Sequence, residues 1–459
     1  MSAVLLIAVP LLAAFISILN KKLAPVLLLL VSLFNIVSIF FYSLGTITIG
    51  GFEAPYGISL VLDNYSLIGL IVINIAFFLV LLISYEKVKK VATVLLVALA
   101  GLNGLLLTGD LFNLFVFIEV SGIAAYLIST TNKKYVATFN YLVIGTVGSS
   151  FYLLGLIILY AMVGTLNMSD MALRISSEGI SAANLSLPFL FMFIGLGVEA
   201  KLLPFNSWVK GILGNSNKLV GPMIASVYAG TISLVFGRIL TSVFVVSDRL
   251  GLILTVILLV GIVAGETMAF ASTKLREILL YSSIAQASLV IILFLEGITG
   301  WAVMMVIANV ISKLVLFAIA SYTSDELKTD EVDNLKGIFS KNKIIGVAFT
   351  IASLSVSGLP LFMGFVVKMN VLTSIFDGED YLLAAVILLT SIVEGVYFVR
   401  VLIKLWYNKE DAKTINYNFV IKYIVSVLAV LLIVFGTYTT VLNDQVETVN
   451  EVFEIGGNE

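Results

Sequence analysis

The chain has 459 residues, of which 60% are hydrophobic and only 12% are charged, and its mean hydropathy is +1.13. A soluble protein carries about 25% charged residues, so this composition excludes a soluble domain and indicates a polytopic helical membrane protein in a lipid bilayer. The formal net charge of −2 gives no reason to expect a nucleic-acid partner, and the absence of Cys and His excludes disulfides, thiolate-bound iron–sulfur clusters, His-ligated haem and the usual zinc sites. We therefore expect no cofactor and no metal.

Apolar runs of about 20 residues predict an all-α polytopic membrane protein with about fourteen transmembrane helices. The first run lacks a basic segment before it and a small-residue cleavage site, which favours a retained helix over a signal peptide. The predicted spans, numbered in chain order, are approximately 2–20, 24–45, 64–85, 90–108, 110–130, 139–165, 187–209, 219–243, 250–272, 276–296, 300–322, 344–374, 381–406 and 418–441. A short acidic tail follows and is expected to be a solvated terminus; its acids are Asp444, Glu447, Glu451, Glu454 and Glu459.

Loop charge alternates along these spans. Loops after even-numbered spans are mainly acidic, whereas loops after odd-numbered spans hold most of the basic residues. Those are Lys21, Lys22, Lys87, Lys89, Lys90, Lys133, Lys134, Lys210, Lys218, Lys274, Arg276, Lys328, Lys336, Lys341, Lys343, Lys409 and Lys413. By the positive-inside rule, the chain is predicted to lie in the cell (inner or cytoplasmic) membrane with both termini on the non-cytoplasmic side.

Two predicted spans are interrupted. Span 7 contains Pro204, and span 12 contains Gly358 and Pro360; proline removes a backbone donor and glycine lets the chain turn. The interruptions lie five spans apart, and five is odd, so spans 4–8 and 9–13 are predicted to be inverted five-helix repeats. Broken helices in such repeats point to a transport pathway, although two unrelated proline kinks are the alternative. The predicted divisions are a three-helix segment (1–89), the first repeat (90–243), the inverted second repeat (248–406), and a last helix with the acidic tail (407–459).

Seven ionisable residues fall within the apolar runs. A charge at the centre of a transmembrane helix costs roughly 2.5–3.5 kcal/mol, so each one marks a candidate site. They are Glu119, Glu199, Lys201, Glu266, Lys313, Lys368 and Glu394. Glu266 lies near one end of its span, which also fits an interfacial side chain that reaches water. Together they predict a row of groups that passes protons through bridging waters, and buried ion pairs that only fix helix packing are the structural alternative.

Neutral polar residues also lie in or beside the spans. These side chains either hold water molecules between the charged residues or form hydrogen bonds that join one helix to another. They include Asn140, Ser282, Ser283, Gln286 and Asn309.

Four segments resemble the antiporter-like subunits shared by Mrp-type cation/proton antiporters, respiratory complex I and membrane-bound hydrogenases. They are 108–119 (TGDLFNLFVFIE), 274–286 (KLREILLYSSIAQ), 309–317 (NVISKLVLF) and 357–368 (SGLPLFMGFVVK). Their order and spacing agree with the family, and the resemblance extends from about residue 90 to 400. The chain is similar to the mid-sized, Mrp D-like type, so a long lateral amphipathic helix and extra spans are not expected.

The resemblance implies that Glu119, Lys313 and Lys368 take part in ion translocation, and Glu394 is expected to join them. In the family the fifth-helix Glu pairs with a Lys on the seventh helix, but here that Lys position is Glu199, and Lys201 follows two residues later. Two residues turn a helix by about 200°, so either the break lets Lys201 reach Glu119 or the pathway uses a Glu199–Lys201 pair. Span 8 also lacks the Lys or His of the family.

We therefore predict an ion-translocating subunit that moves H⁺, Na⁺ or both. With no redox centre expected in the chain, its energy would come from redox chemistry or cation exchange in a partner. The resemblance implies further membrane subunits as partners, including other antiporter-like ones, with a peripheral redox arm as an open alternative. Two other functions remain open, a degenerate scaffold that does not conduct and a stand-alone secondary transporter.

Overall fold

The computed structural model of the chain describes residues 2–244, 246–408 and 413–455, and these residues are mostly helical. The loop residue Lys409 and the tail residue Glu459 lie outside the described residues, as does the side chain of Glu454. The helices of the first half are α1 (Leu5–Leu19), α2 (Ala24–Ile39), α3 (Asn64–Ile83), α4 (Ala92–Leu107), α5 (Leu111–Ser129), α6 (Tyr135–Val163), α7 (Met168–Ser177), α8 (Ala182–Glu199) and α9 (Ala229–Ser242).

The described part of the second half is also mostly helical. Its longer helices are α10 (Asp248–Ala271), α11 (Leu275–Leu295), α12 (Thr299–Leu327), α13 (Lys343–Val356), α14 (Met363–Asp377), α15 (Tyr381–Trp406), α16 (Phe419–Thr437) and α17 (Thr440–Ile455). Between α2 and α3, strands β1 (Gly45–Thr48) and β2 (Ser59–Leu62) form an antiparallel hairpin in which Gly45 pairs with Leu62. This hairpin and the short amphipathic helix α7 were not predicted from the sequence.

Ten helices of the described chain are long and apolar enough to cross a bilayer. Four more apolar helices, α1, α2, α4 and α13, are shorter than the spanning length. The chain is an integral, multi-pass membrane protein.

Three elements form the centre of the bundle. They are α11, α12 and the segment Val220–Ser242 that ends in α9, and nearly all of their residues are buried. Outer helices such as α6 and α15 instead expose many apolar side chains, including Val136, Phe139 and Leu389. Polar and ionisable groups therefore collect inside, and the apolar surface faces outward, as a bilayer requires.

Helix starts follow local capping signals. Five caps accept a hydrogen bond from the backbone N–H three residues later, namely Asp63, Asp110, Asn167, Ser181 and Asp380. Asp110 caps α5 through the Asn113 N–H at 2.7 Å. It therefore begins the helix that carries Glu119.

The acidic tail is not a solvated terminus, and that expectation is wrong. Residues Thr440–Ile455 form helix α17, whose Val449 is fully buried and whose Phe453 packs edge-on against Tyr65 with ring centroids 5.3 Å apart. The Gly300 N–H donates to Asn450 Oδ1 at 3.0 Å. Only the opposite face is exposed, and it carries Asp444, Glu447 and Glu451. A short amphipathic helix thus packs on the bundle after the last predicted span.

Candidate functional site

The break in span 7 puts a lysine where most proteins put glycine. Helix α8 ends with the Lys201 N–H donating to the Val198 carbonyl and the Leu202 N–H donating to the Gly197 carbonyl, at 3.2 and 2.9 Å. This is a Schellman ending, and Lys201 occupies its left-handed position with φ +66°. A side chain there costs roughly 1–2 kcal/mol relative to glycine. Strain of this kind persists at functional sites, so Lys201 is a strong candidate.

Lys201 points towards the centre of the bundle. Its side chain is fully buried, and Nζ donates to Ser283 Oγ on α11 at 2.8 Å. On the other side of the break, the Tyr126 hydroxyl donates to Glu199 Oε1 at 3.3 Å. Glu119 is half-buried on α5 and lies close enough to Glu199 for their charges to interact. Glu119 and Glu199 therefore lie on one side of the helix break, and Lys201 points away from them on the other side.

A row of hydrogen bonds crosses the second half of the chain. Lys313 Nζ donates to Ser282 Oγ at 2.6 Å, and the Ser282 hydroxyl donates to Glu394 Oε1 at 3.2 Å. Lys368 Nζ donates to Glu394 Oε2 at 2.8 Å and forms an ion pair with it. Gln286 Nε2 also donates to both Glu394 oxygens, at 3.0 and 3.2 Å. All of these side chains are buried, so each donor has an acceptor where water is scarce.

The break in span 12 shapes the pocket around Lys368. Helix α13 ends in the same Schellman pattern, with the Gly358 N–H donating to Ser355 and the Leu359 N–H to Leu354. Gly358 has φ +74°, and a Cβ added there would lie 2.7 Å from Lys368 Cδ. Pro360 follows two residues after Gly358, where it cannot continue the helix. Glycine thus permits both the turn and the close approach of the lysine stem.

A small polar cavity joins the two lysines nearest the centre. It has a volume of about 30 Å³, room for about two waters, and both Lys201 and Lys313 line it. Ser226, Ser233 and Asn309 supply further polar groups to its wall. Ser226 belongs to a π-helical segment, Met223–Tyr228, that precedes α9. Such segments widen a helix and are frequent at functional sites.

The row consists of groups that can carry or exchange protons. Among the described residues, no group of three or more Asp and Glu side chains is placed to hold a metal ion. Ammonium, hydroxyl and carboxylate groups at hydrogen-bond distance can instead pass protons from one to the next.

The family model described as NADH:quinone oxidoreductase/Mrp antiporter, TM, matches residues 108–393. The chain belongs to this family. It is 32% identical over 373 residues to NADH-quinone oxidoreductase subunit N of Desulforudis audaxviator, covering 77% of this chain and 74% of that protein. It is 27% identical over 420 residues to the D subunit of the Na⁺/H⁺ antiporter of Alkalihalophilus pseudofirmus, covering 86% and 83%. The resemblance stated from the four sequence segments is confirmed.

Two solved structures contain a chain with the same fold. A chain of the membrane-bound sulfane sulfur reductase, an archaeal respiratory membrane complex, is 27% identical and superposes with a TM-score of 0.90, covering 98% of this chain and 97% of that one. A chain of the Mrp complex from Dietzia sp. DQ12-45-1b gives a TM-score of 0.88 at 18% identity, with 98% and 96% coverage. At that identity the second likeness concerns the fold alone. These neighbours are subunits of multisubunit membrane complexes.

The two arrangements expected from the family pattern around Lys201 are both absent from the structure. Among the described residues, Lys201 pairs neither with Glu119 nor with Glu199, because the left-handed turn aims it at Ser283 instead. Glu266 also departs from its interfacial alternative, since it is only 3% exposed. Lys313, Lys368 and Glu394 do come together, in the row described above.

Three polar neighbours of the buried charged residues were not predicted from the sequence. Tyr126, Ser391 and Tyr397 lie beside Glu199, Lys368 and Glu266, respectively. A tyrosine or serine within an apolar helix gives little signal by itself, because such residues are also ordinary contacts between helices. Tyr126 was detectable only by its spacing, seven residues or about two turns after Glu119 on α5.

Proposed function

We propose that this antiporter-like subunit conducts protons through its bundle centre, within a multisubunit membrane complex. The observation that carries this role is the buried row Lys313–Ser282–Glu394–Lys368, together with the cavity that connects Lys313 to Lys201. A scaffold needs none of these groups, and each ionisable group is expensive to keep in a membrane.

Proton transfer along the row needs only local exchanges. When Lys313 releases a proton to Ser282, one N–H bond breaks and the serine oxygen gains a proton. The serine passes its own proton to Glu394, so the serine stays neutral while the carboxylate becomes a carboxylic acid. Lys368 then loses its anionic partner, which favours release of its own proton. A change in the protonation of one group therefore alters the protonation of the next, as coupled titration requires.

We place the cavity in the role of the Lys or His that span 8 lacks. Lys201 and Lys313 face the same small volume, and two ammonium groups there would repel each other strongly at low dielectric. A proton arriving at Lys201 through bridging waters would therefore favour its departure from Lys313. Glu119, Glu199 and Tyr126 form the entry side, where a charge change in a neighbouring subunit would act first.

The topology we propose adds the four shorter apolar helices to the ten long ones, which gives fourteen spans with α13 and α14 forming one broken span. The matching Schellman endings of α8 and α13 support two inverted repeats, 90–243 and 248–406, after an N-terminal segment 1–89 and before the region 407–459. We place the protein in the cytoplasmic membrane with both termini outside the cytoplasm, on the loop-charge pattern. Partners would be other membrane subunits, including antiporter-like ones.

The test is proton movement by the assembled complex in liposomes that report internal pH. Lys313→Met and Glu394→Gln should each slow proton movement by at least about tenfold, because each removes a proton-carrying group while nearly keeping its volume. Lys210→Met is the matched control, since Lys210 is exposed and pairs with Glu277 at 3.3 Å outside the row. Unchanged proton movement in assembled complexes of both row variants would leave the scaffold role as the better account.

A stand-alone transporter of a larger solute fits the structure less well. The two cavities on the row have volumes of about 30 and 10 Å³, whereas small-molecule sites usually occupy about 300–1,000 Å³. Solute uptake by this chain without its partners would contradict the proposed role.

A further inference from the structure

Glu266 on α10 is a buried carboxylate with no cationic partner in an ion pair among the described residues. Its side chain is 3% exposed, and Oε2 accepts no hydrogen bond. Gln286 Oε1 is also buried without a donor, although its amide nitrogen holds Glu394. Two buried acceptor atoms without hydrogen-bond donors carry a desolvation penalty of several kcal/mol. A group that donates hydrogen bonds to them would remove this penalty.

Both side chains line one small cavity. Its volume is about 10 Å³, and Lys368, Thr390, Ser391 and Glu394 supply the rest of its polar wall. This volume lies at the lower limit for a single water molecule. The cavity thus places Glu266 and the ammonium group of Lys368 around the same site.

Lys368 has one donor to spare. Its ammonium group carries three N–H bonds, and two of them point to Glu394 Oε2 and Ser391 Oγ, at 2.8 and 3.3 Å. The third is free to face the water site. Glu266, in turn, forms no ion pair among the described residues, which distinguishes it from Glu394.

The charged and titratable groups around Glu266 come from three helices. Glu394 and Tyr397 face it from α15, Lys368 from α14 and Lys313 from α12. When both lysines are protonated and both glutamates are ionised, the two positive and two negative charges of this set cancel. When a proton leaves the row, one charge of this set must change, and Glu266 is the carboxylate that no cation holds in place.

We propose that Glu266 is a proton acceptor beside the end of the row, receiving protons from Lys368 through one water held in the cavity. In the transfer, an N–H bond of Lys368 breaks, the water relays a proton, and an O–H bond forms on Glu266. Both groups become neutral, while Gln286 keeps Glu394 in place. This extends the proposed proton pathway sideways to α10 and rests on that function.

Infrared difference spectroscopy of the purified complex tests the assignment directly, because a protonated carboxylic acid has its own C=O stretching band. On acidification across the range where proton movement begins, the wild-type complex should gain such a band, with one component from Glu394 that Glu394→Gln removes and a second from Glu266 that Glu266→Gln removes. Glu86→Gln, which alters an exposed carboxylate paired with Lys89, should keep the band. In liposomes, Glu266→Gln should slow proton movement by about tenfold or more, and Glu266→Asp should recover part of it.

The two readouts separate the failure of this assignment from failure of the row. A band that keeps its full wild-type intensity in Glu266→Gln overturns the assignment, whatever the Lys313 and Glu394 variants do. Normal proton movement in Glu266→Gln, with loss in Glu394→Gln, also overturns it. A Glu266 band that responds to replacing KCl by NaCl at constant pH would overturn it in favour of a cation site. If Glu266→Gln fails to assemble, Ser391→Ala, which alters the same cavity wall, should shift the band, and an unshifted band would overturn the proposal.

Discussion

Gly358→Ala tests whether the break in span 12 positions Lys368. Alanine at φ +74° costs about 1–2 kcal/mol. Its Cβ would also lie 2.7 Å from Lys368 Cδ. Because carbon atoms prefer separations of about 3.5–4.0 Å, the lysine stem would have to retreat by about 1 Å. That movement is enough to break the 2.8 Å bond between Lys368 Nζ and Glu394 Oε2.

We therefore expect Gly358→Ala to lower the melting temperature of the purified complex and to slow proton movement by about tenfold or more, since a misplacement of 1 Å has effects of that size. Gly395→Ala is the matched control. Gly395 is a helical neighbour of Glu394, and a Cβ added there meets no atom within 4 Å. It should leave both measurements unchanged or raise stability slightly. If the two variants behave alike in both assays, the break does not position Lys368.

Two further predictions concern single contacts. Ser282→Ala should slow proton movement more than Ser283→Ala, because Ser282 links Lys313 to Glu394, whereas Ser283 only accepts from Lys201; equal rates in liposomes would contradict the relay through Ser282. Arg238→Ala should lower the melting temperature and speed hydrogen exchange in α17, because Arg238 makes two bonds of 2.6 and 2.7 Å to Asp63 and stacks on Phe453. For this partly exposed pair we expect a loss of about 1–3 kcal/mol, and unchanged exchange in α17 would show that the arginine does not hold that helix.

The helix breaks and the buried charges could be read from the sequence because they violate strong rules. Proline within an apolar run predicts a break, and a lysine at that depth predicts a site. The direction of Lys201 could not be read in the same way. A turn of about 200° applies to a continuous helix, but α8 ends at Glu199, and the left-handed turn sets the direction of the next residue. Predicting Lys201 in a position that favours glycine would have required the backbone itself.

The C-terminal helix could have been predicted from the spacing of its apolar residues, but the acidic composition of the segment suggested a different structure. Its acids suggested a solvated tail, yet Leu442, Val446, Val449 and Phe453 recur every three or four residues. That spacing is the signature of an amphipathic helix. Glu266 is a different case, since its position near the end of a span suggested access to water. Packing of α10 against α11 and α15 buries it, and packing between helices distant in the sequence leaves no local signal.

Both helix breaks end in a Schellman motif, but the left-handed residue has a different role in each. At Gly358 the absent side chain makes room for Lys368, which arrives from α14, so the cation and the turn are supplied by different residues. At Lys201 the same residue makes the turn and carries the charge, so the backbone fixes where the ammonium stem begins. The first lysine then meets only a serine and a cavity, whereas the second meets a carboxylate. This difference predicts a direction, because among the described residues the Lys368 ammonium group has an anionic partner at 2.8 Å, whereas the Lys201 ammonium group has only a neutral hydroxyl. Protons entering at the first break would therefore run towards Glu394 and the groups around it.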